Sequence, residues 1–97
     1  MPAYVIAMVG AVRDQEALVE YRRRNTDVVA AHGGRFIARG GDQKVLEGAY
    51  EPTRIVLIEF PDMDAARAWH GSRDYAPLRK LRQGASETDI LLVDGAG

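Results

Sequence analysis

A guanidinium on a strand that runs straight into two glycines is well placed to grip a carboxylate with both of its N–H edges. Arg39, directly before Gly40 and Gly41, is such a residue. The commoner fate of an arginine like this is an ion pair, here with Glu59 or Glu47 at the sheet edge. Glu59 itself follows four adjacent apolar residues, so it is either Arg39's partner or a carboxylate with a raised pKa, usable as a base. Tyr21 and Asn25 stand one helical turn apart and could hydrogen-bond a ligand, while Trp69 and Tyr75 could supply its apolar walls. Aromatics at helical spacing are more often core than pocket, and Trp69 fits the core first. Asn25 is the least comfortable core residue, because a buried amide needs partners. His32 and His70 are the remaining acid–base candidates. His32 falls in the last turn of a helix, where an imidazole serves more often as a cap, and His70 sits beside Trp69 near a helix end.

Other chemistries are excluded by what is missing. There is no cysteine in the 97 residues, hence no disulfide, thiolate site or cysteine nucleophile. Two histidines without clustered carboxylates do not make a metal-ligand spacing, so no metal is expected, and no cofactor either. Gly33-Gly34 and Gly40-Gly41 are isolated pairs that lack the spacing of phosphate-binding or dinucleotide-binding loops. A net charge of −1 offers no general attraction to nucleic acid or to an anionic membrane. The Tyr4–Val9 run is too short for a membrane span and has no basic leader, so the expected location is the cytoplasm.

The elements that must carry these residues follow from periodicity. Tyr4 to Val9 is apolar on both faces of a strand. Asp14 can cap a helix to about His32, stopped by Gly33-Gly34, with Leu18, Tyr21, Asn25, Val28, Val29 and His32 on one face. On the opposite face, Glu20 precedes Arg24 by four residues, an expected surface pair. Arg35 to Arg39 reads as a strand with Phe36 and Ala38 on one side and Arg35, Ile37 and Arg39 on the other. Gly40-Gly41-Asp42 interrupts it, and strand character resumes at Val45-Leu46 before a loop from Gly48 to Thr53. Ile55 to Ile58 is a central strand. Pro61 and Asp62 then open an Ala-rich helix that Gly71 ends, and Ser72 can cap a short second piece, which Pro77 pushes to begin near Ala76. Thr88 to Val93 closes the chain.

The order β-α-β-β-α-β over residues 1–97 is that of a single α+β, ferredoxin-like domain, an antiparallel sheet with its helices on one face. Those helices shield one side only, yet Tyr4/Ile6/Met8 and Val5/Ala7/Val9 are both apolar, as are Leu91/Val93 and Ile90/Leu92, so the sheet's other face must also be covered. A homodimer through the open sheet face is the economical cover. The RNA-recognition module shares this topology, but its basic-glycine-aromatic run is missing and the charge is wrong.

Several short pieces recur in a familiar order. They are Ala3-Tyr4-Val5-Ile6-Ala7, Tyr21, Gly33-Gly34-Arg35-Phe36, Arg39-Gly40-Gly41, Val45-Leu46-Glu47-Gly48, Glu59-Phe60-Pro61, Ala65-Ala66-Arg67-Ala68-Trp69, and Ser72 with Tyr75. Together they resemble the family called domain of unknown function 1330. The resemblance spans nearly the whole chain and departs at His70, where an aromatic is expected, and at Pro77. It implies a dimeric α+β barrel with a cleft between helices and sheet in each subunit, in a superfamily that includes cofactor-free monooxygenases, lactone isomerases and haem-handling proteins. It implies no reaction. The sequence therefore leads to a dimer that binds a small, partly apolar, anionic molecule in a cleft of Tyr21, Asn25, Arg39, Glu59, Trp69 and Tyr75, with cofactor-independent catalysis as an extension. The alternative is a non-catalytic homo-oligomeric structural or interaction module whose polar cleft residues satisfy one another.

Overall fold

The computed structural model describes residues 1–96. Its elements are β1 (Ala3–Val12), α1 (Gln15–Ala31), β2 (Arg35–Arg39), β3 (Arg54–Phe60), α2 (Met63–His70), α3 (Ala76–Ala85) and β4 (Ser86–Asp94). The strands form one antiparallel sheet in the order β2-β3-β1-β4, with the two most apolar strands inside. This is the expected ferredoxin-like arrangement.

The first two helices begin where the sequence supplies an acceptor. Asp14 Oδ1 takes the Ala17 N–H at 3.0 Å, and Asp62 Oδ1 takes the Ala65 N–H at 2.8 Å. Pro77 lies in the first turn of α3, where its missing N–H costs nothing, and the Ser72 hydroxyl accepts from the Tyr75 N–H just upstream. On the surface of α1, Glu20 pairs with Arg23 at 2.6 Å and not with the expected Arg24, since a three-residue spacing also brings side chains together.

The core lies between sheet and helices. Val5, Ile58 and Phe60 from the sheet meet Val29 of α1, Ala66 and Trp69 of α2, and Leu78 of α3. Phe60, Trp69 and Tyr75 are its largest fully buried side chains. A Cβ at Gly34 would stand 2.6 Å from the Phe60 ring, so only glycine lets the chain enter β2 this close to the core.

Two expectations about β2 change. An extra residue at Ile37 shifts the β2–β3 register between Phe36 and Ala38, and this bulge turns Arg39 to the helix side with Phe36, away from Arg35. The second concerns Val45 and Leu46, which are not in a strand; residues 40–53 form an irregular loop in which Leu46 is 86% exposed. Gly40 breaks β2 with a φ of 72°, and beyond it no neighbouring strand offers a ladder to Val45 and Leu46.

Candidate functional site

A cleft opens between the helix side of the sheet and α1, roofed at one end by α2 and α3. Val5, Ala7, Val56, Ile58 and Ile90 make an apolar floor, and Leu18, Tyr21, Arg22 and Asn25 of α1 line the opposite wall. Arg39 and Phe36 enter from β2, Arg54 from β3, Trp69 from α2, Arg82 from α3 and Thr88 from β4. The cavity measures about 40 Å³, room for roughly two or three waters, so a larger ligand must displace them and shift the long side chains at the mouth.

Its charges are one-signed. Four lining residues are arginines, Arg22, Arg39, Arg54 and Arg82, and none is an acid. Among the described residues, the carboxylate ion pairs involve Arg13, Arg23, Arg35 and Arg67 and none of these four. Arg39 is nevertheless held in place: it donates to the Arg22 carbonyl at 2.7 Å, and its guanidinium carbon stands 3.7 Å from the Phe36 ring centroid. Burial first, then the neighbouring Arg54 and Arg22 charges, lower the pKa of Arg39, and burial followed by Arg22 does the same for Arg54. An arginine starts so high that both stay protonated and repel each other across the mouth of the cleft.

The inner wall is a hydrogen-bonded chain. The Trp69 indole N–H donates to Asn25 Oδ1 at 3.1 Å, Asn25 Nδ2 donates weakly to the Tyr21 hydroxyl at 3.5 Å, and the Tyr21 and Tyr75 hydroxyls share a bond of 2.8 Å. The buried amide thus finds the partners it needs. Burial, then Tyr75, raise the Tyr21 pKa far above the phenol range while Arg82 pulls the other way, so Tyr21 remains a neutral hydroxyl.

Among the residues singled out from sequence, Tyr21, Asn25, Arg39 and Trp69 come together in the cleft, and Tyr75 stands behind Tyr21 as a fully buried support. Glu59 does not join them. It lies on the open face of the sheet, where Arg35 Nε donates to its Oε1 at 2.9 Å, because strand alternation sends it away from Ile58 and Phe60. The Arg39–Glu59 pair is therefore absent, as the Ile37 bulge has put the two on opposite faces. His32 caps the end of α1 through a bond between Nδ1 and the Val28 carbonyl, outside the cleft. His70, also outside, packs against Trp69 and Tyr75 with ring centroids 5.9 and 5.6 Å away, and burial, then Arg79 and Arg82, lower its pKa.

Arg22, Arg54 and Arg82 escaped the sequence reading as site residues. Arg82 carried a signal, for it falls four residues after Leu78 and seven after Tyr75, on the buried stripe of α3. Arg22 and Arg54 carried none, since each looks like an ordinary surface arginine until the sheet is assembled.

Comparison with known proteins fits this frame. The family model for a domain of unknown function, DUF1330, matches residues 2–96. The chain belongs to that family. No curated protein matches it. Among solved structures, a protein of unknown function from Rhodopseudomonas palustris is 20% identical with a TM-score of 0.78, over 99% of this chain and 83% of that one. SnoaB, a cofactor-independent oxygenase from Streptomyces nogalater, is 13% identical with a TM-score of 0.58, over 99% of this chain and 92% of its own. A dimeric ferredoxin-like protein of unknown function from Jannaschia sp. is 14% identical with a TM-score of 0.60, and each chain is fully covered. This DUF1330 chain thus shares its fold with those proteins; identities this low carry the fold alone. No helix in the described residues is long and apolar enough to cross a membrane.

Proposed function

We propose that this DUF1330 protein is a homodimer that binds a small, partly apolar anion in the cleft of each subunit. The observation that carries the reading is the pairing of four arginines and no acid with an apolar floor. Apolar floors hold a hydrocarbon body, and a desolvated guanidinium fixes a carboxylate or phosphate end. For the dimer, the support is the open sheet face, where Leu91 and Val93 are half exposed beside Ile6, Met8 and Leu57, together with the dimeric neighbour of the same fold. A cofactor-independent reaction is an extension of the same site: a neutral hydroxyl on Tyr21 beside Arg82 suits a developing oxyanion, and SnoaB shows a like fold.

The second reading, a non-catalytic interaction module, draws on the Trp69-Asn25-Tyr21-Tyr75 chain, in which polar groups satisfy one another. It gives no reason for four guanidiniums without a counter-charge. Trp69 is the sole tryptophan, so its emission reports the cleft directly. Titration with octanoate should give a saturable change that octanol does not, and Arg39→Met should weaken it about tenfold, ~1.4 kcal/mol. Equal responses to acid and alcohol would leave the module reading in place.

A further inference from the structure

Arg82 differs from the other cleft arginines. Arg22, Arg39 and Arg54 are only partly buried and gather where α1 passes over the β2–β3 edge, whereas Arg82 is 6% exposed and its Nε has no hydrogen-bond partner. It reaches the cleft from α3, which feeds directly into β4, the strand at the far edge of the sheet from β2. Arg39 feels the charges of Arg54 and Arg22 and not that of Arg82, which instead acts on Tyr21, so the cleft has two separate cationic ends. Between them lies the apolar floor of Val5, Ala7, Val56 and Ile58. A buried cation with a free donor destabilises a fold unless something meets it, and the protein supplies no carboxylate there.

Resting on the cleft reading above, we infer that the ligand carries two separated anionic ends on an apolar chain, one held by Arg39 and its neighbours at the mouth and the other by Arg82 at the deep end. A linear dicarboxylate is the simplest molecule of that class. A monoanion held at the mouth leaves the Arg82 Nε without an acceptor, and a dianion with both charges at that end leaves it so as well.

Calorimetric titration with octanoate, octyl phosphate and octanedioate separates these cases. Octanedioate should bind at least about tenfold more tightly than octanoate, one added charge-assisted contact of ~1.4 kcal/mol. Arg82→Met should erase that preference, so that the variant binds octanedioate no more tightly than it binds octanoate, and Arg82→Lys should keep part of it. If octanoate equals octanedioate, if octyl phosphate gains as much, or if Arg82→Met retains the preference, the two-ended ligand is wrong while the cleft reading stands. Should none of the three acids bind, both fall. Were Arg82→Met to fail to fold, the three-ligand comparison on the unaltered protein decides by itself.

Discussion

The two faces of one four-stranded sheet have been given opposite electrostatics. On the helix side, apolar residues underlie Arg22, Arg39, Arg54 and Arg82, none of which meets an acid. On the open side, Arg35 meets Glu59 at 2.9 Å, Asp89 lies opposite Met8 with no ion-pair partner among the described residues, and Tyr4, Ile6, Met8, Ile55, Leu57, Leu91 and Val93 make the face mainly apolar. A mainly apolar face whose arginine is already paired can be covered by protein at little electrostatic cost so long as Asp89, at its border, stays in water. The helix side instead carries charges of one sign only, with no acid among its lining residues. A single bulged residue sharpens the contrast, since without the extra position at Ile37 the alternation of β2 would put Arg39 on the open face with Arg35.

Breaking the helix side at its centre should have the largest effect. Trp69→Ala removes a side chain that is 1% exposed and orphans Asn25 Oδ1, and a loss of about 3–5 kcal/mol in chemical denaturation is expected. The matching cut on the other side, Leu91→Lys with Val93→Lys, should leave the folded chain intact and shift sedimentation from dimer to monomer. If the lysine pair unfolded the chain as thoroughly as Trp69→Ala, the two faces would not differ as described.

Smaller changes sharpen the contrast. Glu59→Gln, on the open side, should alter octanoate affinity less than about twofold, against the tenfold loss for Arg39→Met. Gly40→Ala forces a Cβ onto a backbone at φ 72° and into the Arg54 guanidinium, so it should cost about 1 kcal/mol and weaken anion binding by moving Arg54. The smallest effect concerns His70. Its folded pKa lies below the ordinary 6.5, lowered by burial, then Arg79 and Arg82. Its contribution is therefore intact above 6.5 and is lost as pH falls through that value toward the lower folded pKa. His70→Asn should flatten that acid-side decline in melting temperature.

The strands, helices and caps were legible because each is set by local pattern: both-face apolar runs for β1 and β3, Asp14 and Asp62 at helix starts, Pro77 marking the start of α3. The cleft lining was legible where a residue sat on a predicted stripe, as Tyr21 and Asn25 did, where a cation preceded a break in a strand, as Arg39 did, or where a large aromatic opened onto the same space, as Trp69 did. Glu59 was misplaced because a simple alternation of β2 put Arg39 on its face, and a bulge is specified by three-dimensional pairing that no short window shows. Val45 and Leu46 look like strand by composition, yet a strand also needs a free ladder beside it. Arg54 gained its place from the fold as a whole, at the mouth of a cleft whose other wall is a helix from the first third of the chain.

The most direct test is a crystal structure of the protein grown with octanoate. The account predicts density on the helix side of the sheet, with the carboxylate oxygens about 2.7–2.9 Å from guanidinium nitrogens of Arg39 or its neighbours. An empty cleft, or octanoate seated on the open face over Ile6 and Leu91, would contradict it.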